Sequence, residues 1–301
     1  MRRSRFPVLW FFVLAFVLTG VGQCVHLYVS RRLAAGVAGG TPIRDTPIMT
    51  WMPYAFYVTN AGPSLVGLLM TLFLYGLPGV RRLGFQLSPW SVGRAWPVLA
   101  VCLLLPLGVI VLPLGILAAL GASVPPPSWP GPTYLYGAVI GGGFIGPGLC
   151  EEIGWRGFAL PHLQRRYSAL VSSLIIGLAW AFWHWPNFVI PSESPPWWHL
   201  LAFVPMVMAV SVLFTWVYNS TGGSLFAVVV LHGAIYAALD LCPAPDSGVA
   251  AREDVIFLLL FAAIAVGLVW RYGAANLSWR DRVVAQPPDN CMNRSGESGG
   301  I

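Results

Sequence analysis

The sequence predicts an all-α fold, a polytopic membrane helix bundle of about eight transmembrane helices. Hydrophobic residues make up 57% of the chain and charged residues only 9%, whereas soluble domains carry about 25% charged residues. The mean hydropathy is +0.72. The apolar residues are also gathered into runs of about 20 residues, the length that an α-helix needs to cross a bilayer. A helical bundle of this size forms one unit rather than several soluble domains.

Each predicted helix is an apolar run bounded by charged, polar or Pro-rich residues. The runs cover residues 8–29, 51–77, 96–120, 133–150, 169–190, 200–218, 224–241 and 255–272. The first run follows a basic start, but it exceeds the length of a signal-peptide core and has no clear cleavage site, so we expect an uncleaved helix. The connections at 122–132, 191–196 and 243–254 have the composition of loops.

The order of these runs predicts four regions. Residues 1–132 form about three N-terminal transmembrane helices, and residues 133–242 form a core that holds the candidate catalytic side chains. The last transmembrane helix lies within 243–280. The segment 281–301 is polar and rich in Gly and Ser, so we expect a disordered cytoplasmic tail.

The distribution of arginine predicts the orientation in the membrane. All 17 cationic residues are arginine, which is typical of a GC-rich genome. If the N-terminus is cytoplasmic, only Arg31, Arg32, Arg44 and Arg252 fall outside. The positive-inside rule therefore predicts cytoplasmic N- and C-termini, in an integral membrane protein of a bacterial plasma membrane. Because the arginines are scattered, no nucleic-acid partner is expected, and the oligomeric state stays open.

Two adjacent glutamates, Glu151 and Glu152, end a stretch that carries no charge from residue 95 onward. An ionisable side chain in hydrocarbon costs about 2.5–3.5 kcal/mol, so such a pair needs a structural or chemical reason. Arg156 lies four residues after Glu152 and can pair with it on one helix face, which leaves Glu151 free. We expect the helix to continue to Leu160 and to stop at Pro161; the alternative is that the glutamates face a water-filled cavity.

Two histidines fall within or close to the predicted spans. His184 lies in the outer half of the fifth helix or in a break made by Pro186, and His232 lies midway along the seventh. In peptide hydrolysis Glu151 could act as the base, His184 could hold the water or shuttle the proton, and His232 could face the oxyanion. Alternatively, Glu151, His184 and His232 could be the ligands of a catalytic zinc. An interfacial salt bridge and histidines that only join helices are the non-catalytic alternatives.

Three motifs on successive apolar segments resemble the CPBP family of intramembrane proteases, which includes CAAX prenyl endopeptidases and bacteriocin-processing and self-immunity proteins. They are Glu151-Glu152-x-x-x-Arg156, Trp180-x-x-x-His184, and His232. The resemblance covers residues 133–241. It implies a bundle around a catalytic cavity open to the cytoplasm.

The resemblance also implies a role for each residue. Glu151 and His184 would activate water, Glu152 and Arg156 would support the site, and His232 would stabilise the oxyanion. Mechanisms with and without a metal have been proposed for the family, so zinc stays open as a cofactor.

Two positions depart from the family pattern. Trp180 stands where phenylalanine is usual, and because this is a packing aromatic we expect little consequence. Tyr236 stands four residues after His232, where asparagine or aspartate is usual; its hydroxyl can donate a hydrogen bond but reaches farther. Asp240, one turn further on, is a candidate substitute.

The predicted function is that of an intramembrane endopeptidase that uses a glutamate-activated water. Its partners would be the lipid bilayer and a membrane-associated protein or peptide substrate. The alternative, which Tyr236 motivates, is a catalytically weak or inactive membrane interaction or immunity protein of the same fold. A transporter is disfavoured because no repeated half is apparent.

Overall fold

A computed structural model describes residues 7–38, 60–121, 146–185, 198–241 and 247–285, together with the isolated residues 124, 131, 144 and 188. Within these ranges, side chains are not described at 26–38, 110, 198, 240–241 and 247–254.

The described residues form helices joined by turns, with no strand among them. The long helices are α1 (Pro7–Ala38), α2 (Gly62–Gln86), α3 (Pro97–Ala119), α5 (Ala169–Trp183), α6 (Trp198–Ser220), α7 (Leu225–Leu241) and α8 (Ser247–Tyr272). The helix between α3 and α5, which we call α4, has three contiguous pieces, Cys150–Glu152, Ile153–Ala159 and Leu160–Leu163. A 3₁₀-helix, Pro89–Ala95, precedes α3.

Five of the described helices, α1, α2, α3, α6 and α8, are long and apolar enough to cross a membrane. The residues 169–183 of α5 and 225–239 of α7 are shorter apolar helices. Large apolar side chains on the outside of the bundle, such as Phe73, Leu104 and Val266, are exposed. An apolar surface of this kind fits lipid rather than water. The predicted all-α, polytopic membrane fold is confirmed.

Helix α2 runs further than its predicted end at residue 77 and reaches Gln86. The backbone breaks at Gly76, where φ is 65°, and the helix resumes through Pro78. Proline has no N–H to continue the hydrogen-bond ladder, and glycine adopts this left-handed φ without steric cost. The break therefore bends the helix without ending it. Arg81 and Arg82 consequently lie on the second half of α2 rather than in a loop.

Helix α4 is held against α2 by direct contact between their backbones. A Cβ atom on Gly154 would collide with the carbonyl of Pro63, and one on Gly67 would lie 2.8 Å from the Cα of Gly154. Only glycine at these positions permits this approach. The middle piece of α4 is a π-helix, a form that is rare and frequently occurs at functional sites.

Helix α4 also ends later than predicted, at Leu163 instead of Leu160. Pro161 lies in the first turn of the last piece, and the helix continues through it to Leu163, so it does not act as a stop.

Helix α6 lies between α5 and α8, and α7 packs against α3. The approach of α5 to α6 is again close, because a Cβ on Gly177 would lie 2.6 Å from the Cα of Met208. Most of the described side chains of α6 and of the first half of α7 are buried. Helices α4, α5, α6 and α7 thus enclose the interior in which the predicted polar residues meet.

After α8, residues 273–285 fold back over the ends of α4 and α6; we call this segment the C-terminal strap. The Asn219 Oδ1 atom accepts a hydrogen bond from the Val283 N–H at 3.1 Å. The Gln164 side chain donates to the Val283 carbonyl at 2.7 Å. The predicted disordered tail, 281–301, therefore begins with residues that are held in place, and those beyond 285 lie outside the described residues.

Candidate active site

Glu151 and Glu152 lie in the first piece of α4, and both side chains are buried, at 3% and 0% exposure. Both carboxylate oxygens of Glu152 accept hydrogen bonds from Nη1 of Arg156 at 3.0 Å. The predicted ion pair between Glu152 and Arg156 is therefore present. The Nδ1 atom of His232 lies 2.7 Å from Oε1 of Glu152. Glu152 thus receives hydrogen bonds from two basic side chains.

Glu151 has a different kind of partner. Its Oε2 accepts a hydrogen bond of 2.6 Å from the indole N–H of Trp180 on α5. The expectation that Glu151 is left free is therefore wrong, because the tertiary structure brings a donor from another helix to it. The expectation that Trp180 is only a packing aromatic is wrong for the same reason. The sequence could have indicated this role, because the tryptophan side chain has an N–H donor and phenylalanine has none.

Arg156 is fully buried between two aromatic rings. Its Cζ lies 4.7 Å from the ring centre of Trp180 and 4.5 Å from that of Phe214. Its Nη2 donates to the Ser211 hydroxyl at 3.3 Å. Cation–π contacts of this kind stabilise a guanidinium away from water. Phe214 and Ser211 belong to α6, a helix that carries none of the predicted site residues.

His184 follows the last residue of α5 and is half-buried. Its Nδ1 lies 2.8 Å from the backbone carbonyl of Trp180. Because a carbonyl can only accept, Nδ1 carries the proton, and Nε2 of the neutral ring keeps its lone pair. The ring is packed against Trp183 and Phe203, with centroid distances of 5.0 Å and 5.5 Å. His184 can therefore accept a proton or a hydrogen bond at Nε2.

His232 is buried and packs edge-on against Trp180 and Phe214 at 5.4 Å and 5.3 Å. Because Nδ1 faces the Glu152 carboxylate, only Nε2 is available for another group. Nε2 donates a hydrogen bond only when the ring is doubly protonated. The half-buried Tyr236 lies beside it, with ring centroids 5.5 Å apart. The side chain of Asp240, the candidate substitute, lies outside the described residues.

The predicted zinc ligands do not form a metal site in this geometry. Among the described residues, no group of three or more His, Cys, Asp or Glu side chains could hold a metal ion. In this geometry His232 is joined to Glu152 through Nδ1, and Glu151 is joined to the indole of Trp180 through Oε2.

His162, at the end of α4, is not part of this cluster. Its Nδ1 lies 2.6 Å from the carbonyl of Phe158, and its Nε2 lies 2.8 Å from the hydroxyl of Tyr75. Nδ1 thus bonds within α4 and Nε2 bonds to α2, as expected of a structural histidine.

The comparisons with known proteins concern the segment that holds the site. Residues 133–238 match the family model of the Rce1-like type II CAAX prenyl endopeptidases. The chain is therefore similar to the family over about a third of its length. A CAAX prenyl protease 2 from Methanococcus maripaludis is 27% identical over 120 residues, which cover 38% of this chain and 44% of that protein. The match thus spans less than half of the relative. All six predicted site residues fall within the matched segment, residues 133–238.

Proposed function

We propose that this protein is an intramembrane endopeptidase that hydrolyses a peptide bond with a water activated by Glu151. The observation that carries the proposal is that the two glutamates have different partners, inside the segment that matches the protease family model. Glu152 is engaged by Arg156 and His232, whereas Glu151 is held at one oxygen by a neutral indole. Glu151 can therefore accept a proton without first breaking an ion pair with Arg156.

In the proposed reaction a water molecule lies between Glu151 and Nε2 of His184. Glu151 takes one proton from this water as the new oxygen–carbon bond forms at the scissile carbonyl. The carbonyl electrons move to its oxygen and give a tetrahedral oxyanion. Glu151 then passes the same proton to the leaving nitrogen as the carbon–nitrogen bond breaks, which regenerates the carboxylate.

Stabilisation of the oxyanion falls to donors on α7. Doubly protonated His232 can donate from Nε2, and the Tyr236 hydroxyl is the second candidate donor. Arg156 holds Glu152, and Glu152 in turn fixes the ring of His232 through Nδ1. These residues support the site rather than react.

The substrate that we propose is a membrane-associated protein or peptide of the CAAX type, by analogy with the named relative. The test uses two internally quenched peptides that end in a CAAX sequence, one with a farnesylated cysteine and one without. Purified protein in lipid vesicles should cleave the farnesylated peptide, and Glu151→Gln and His184→Gln should each abolish cleavage.

His162→Gln is the matched control, because it removes another buried histidine that packs outside the site. It should keep its activity if it remains folded. Wild-type activity in Glu151→Gln would contradict the mechanism. Cleavage of both peptides at the same rate would contradict a prenyl-dependent substrate while leaving the endopeptidase in place.

Tyr236 supports the second candidate, a catalytically weak or inactive interaction protein, because its ring lies beside His232. If the tyrosine blocks the site, Tyr236→Asn should gain activity over the wild type. If the tyrosine is a working donor, the same variant should lose activity, and Tyr236→Phe should lose it too.

A further inference from the structure

Trp180 contacts three groups of the candidate site. Its indole N–H donates to Glu151 at 2.6 Å, its ring covers the guanidinium of Arg156 at 4.7 Å, and its carbonyl accepts from His184 at 2.8 Å. Both members of the pair proposed to activate water are therefore attached to one residue.

The bond to Glu151 fixes an otherwise poorly determined torsion. The last torsion of a glutamate side chain has broad, roughly two-fold preferences, so an unrestrained carboxylate can turn. A hydrogen bond to an ionised acceptor is about twice as strong as one between neutral groups. Trp180 and Glu151 are only 6% and 3% exposed, so bulk water cannot readily replace the indole as a donor.

We propose that Trp180 is a positioning residue that fixes the Glu151 carboxylate at Oε2 and leaves Oε1 to face the reacting water. This inference rests on the proposed function, in which Glu151 is the base. The phenylalanine that is usual at this position supplies a ring but no donor. The chain therefore positions its base with a hydrogen bond that the usual residue cannot make.

The test must separate the N–H of Trp180 from its ring, because the ring also packs against Phe214 and His232. Incorporation of β-(3-benzothienyl)alanine at position 180 keeps the bicyclic shape and replaces the N–H by sulfur. Trp180→Phe removes the donor with a natural residue. Trp216→Phe is the control, because this buried indole packs against Tyr272 and Trp279, away from the site.

With the farnesylated peptide, both changes at position 180 should lower kcat about ten- to hundredfold while KM changes less than about twofold, as expected when one bond to a charged group is lost. Trp216→Phe should keep the wild-type kcat. A benzothienylalanine protein with wild-type kcat would overturn the inference, because ring packing would then suffice.

A second measurement needs no substrate. The infrared difference between the wild type and Glu151→Gln isolates the carboxyl bands of Glu151, and these bands should shift when benzothienylalanine replaces Trp180. Bands that do not move would overturn the inference even if kcat falls. Bands that move in a protein that cleaves neither peptide would support the positioning of Glu151 and contradict only the proposed function.

Discussion

Replacing Arg156 with methionine should strongly destabilise the protein, because it leaves a buried carboxylate behind. Arg156 and Glu152 are both fully buried, and two hydrogen bonds of 3.0 Å join them. Unit charges about 4 Å apart attract by about 4 kcal/mol at an effective dielectric constant of about 20. Breaking a buried pair by removing one partner typically costs about 3–5 kcal/mol. We expect a loss of this size in the free energy of unfolding of Arg156→Met.

The double variant Arg156→Met/Glu152→Gln should recover more than half of that loss, because no uncompensated charge remains. Steric trapping in detergent micelles measures the free energy of unfolding of each variant. Arg165→Met is the matched control, since Arg165 is exposed in the turn after α4, and it should change stability by less than about 0.5 kcal/mol. A loss below about 1 kcal/mol for Arg156→Met, or no recovery in the double variant, would refute the reasoning.

Two further predictions concern the packing that surrounds the site. Gly154→Ala should lower the free energy of unfolding by about 1–3 kcal/mol, because the new Cβ would collide with the Pro63 carbonyl. Gly84→Ala is the control, because its new Cβ meets no atom within 4 Å. It should not destabilise the protein in the same assay. Asn219→Ala removes the acceptor of the Val283 N–H, so trypsin should cleave the C-terminal strap faster than in the wild type. Cleavage at the wild-type rate would show that Asn219 does not hold the strap in place.

The helices were predictable because long apolar runs have few stable arrangements in a bilayer. Their ends were harder, since the second apolar run was ended at residue 77 and Pro161 was expected to be a stop. In the structure, the backbone of α2 breaks at Gly76 and resumes through Pro78, and α4 continues through Pro161 to Leu163. The start of the tail was also harder to judge, because Val283 is held by Asn219, which lies 64 positions earlier in the chain.

At the site, the Glu152–Arg156 pair could be predicted because both residues lie on one helix, where spacing determines the face. The partner of Glu151 could not be predicted, because Trp180 lies 29 positions away on α5. For the same reason, the sequence did not show that His232 binds Glu152 rather than standing apart from it.

The sequence by itself determined that the protein is an α-helical membrane bundle, and it identified the candidate side chains Glu151, Glu152, Arg156, His184 and His232. Composition and local spacing contain that information. Only the tertiary structure decided that His232 is the second basic partner of Glu152 and that the partner of Glu151 is the indole of Trp180. That choice depends on how closely α4, α5, α6 and α7 approach, and therefore on contacts between residues far apart in the chain.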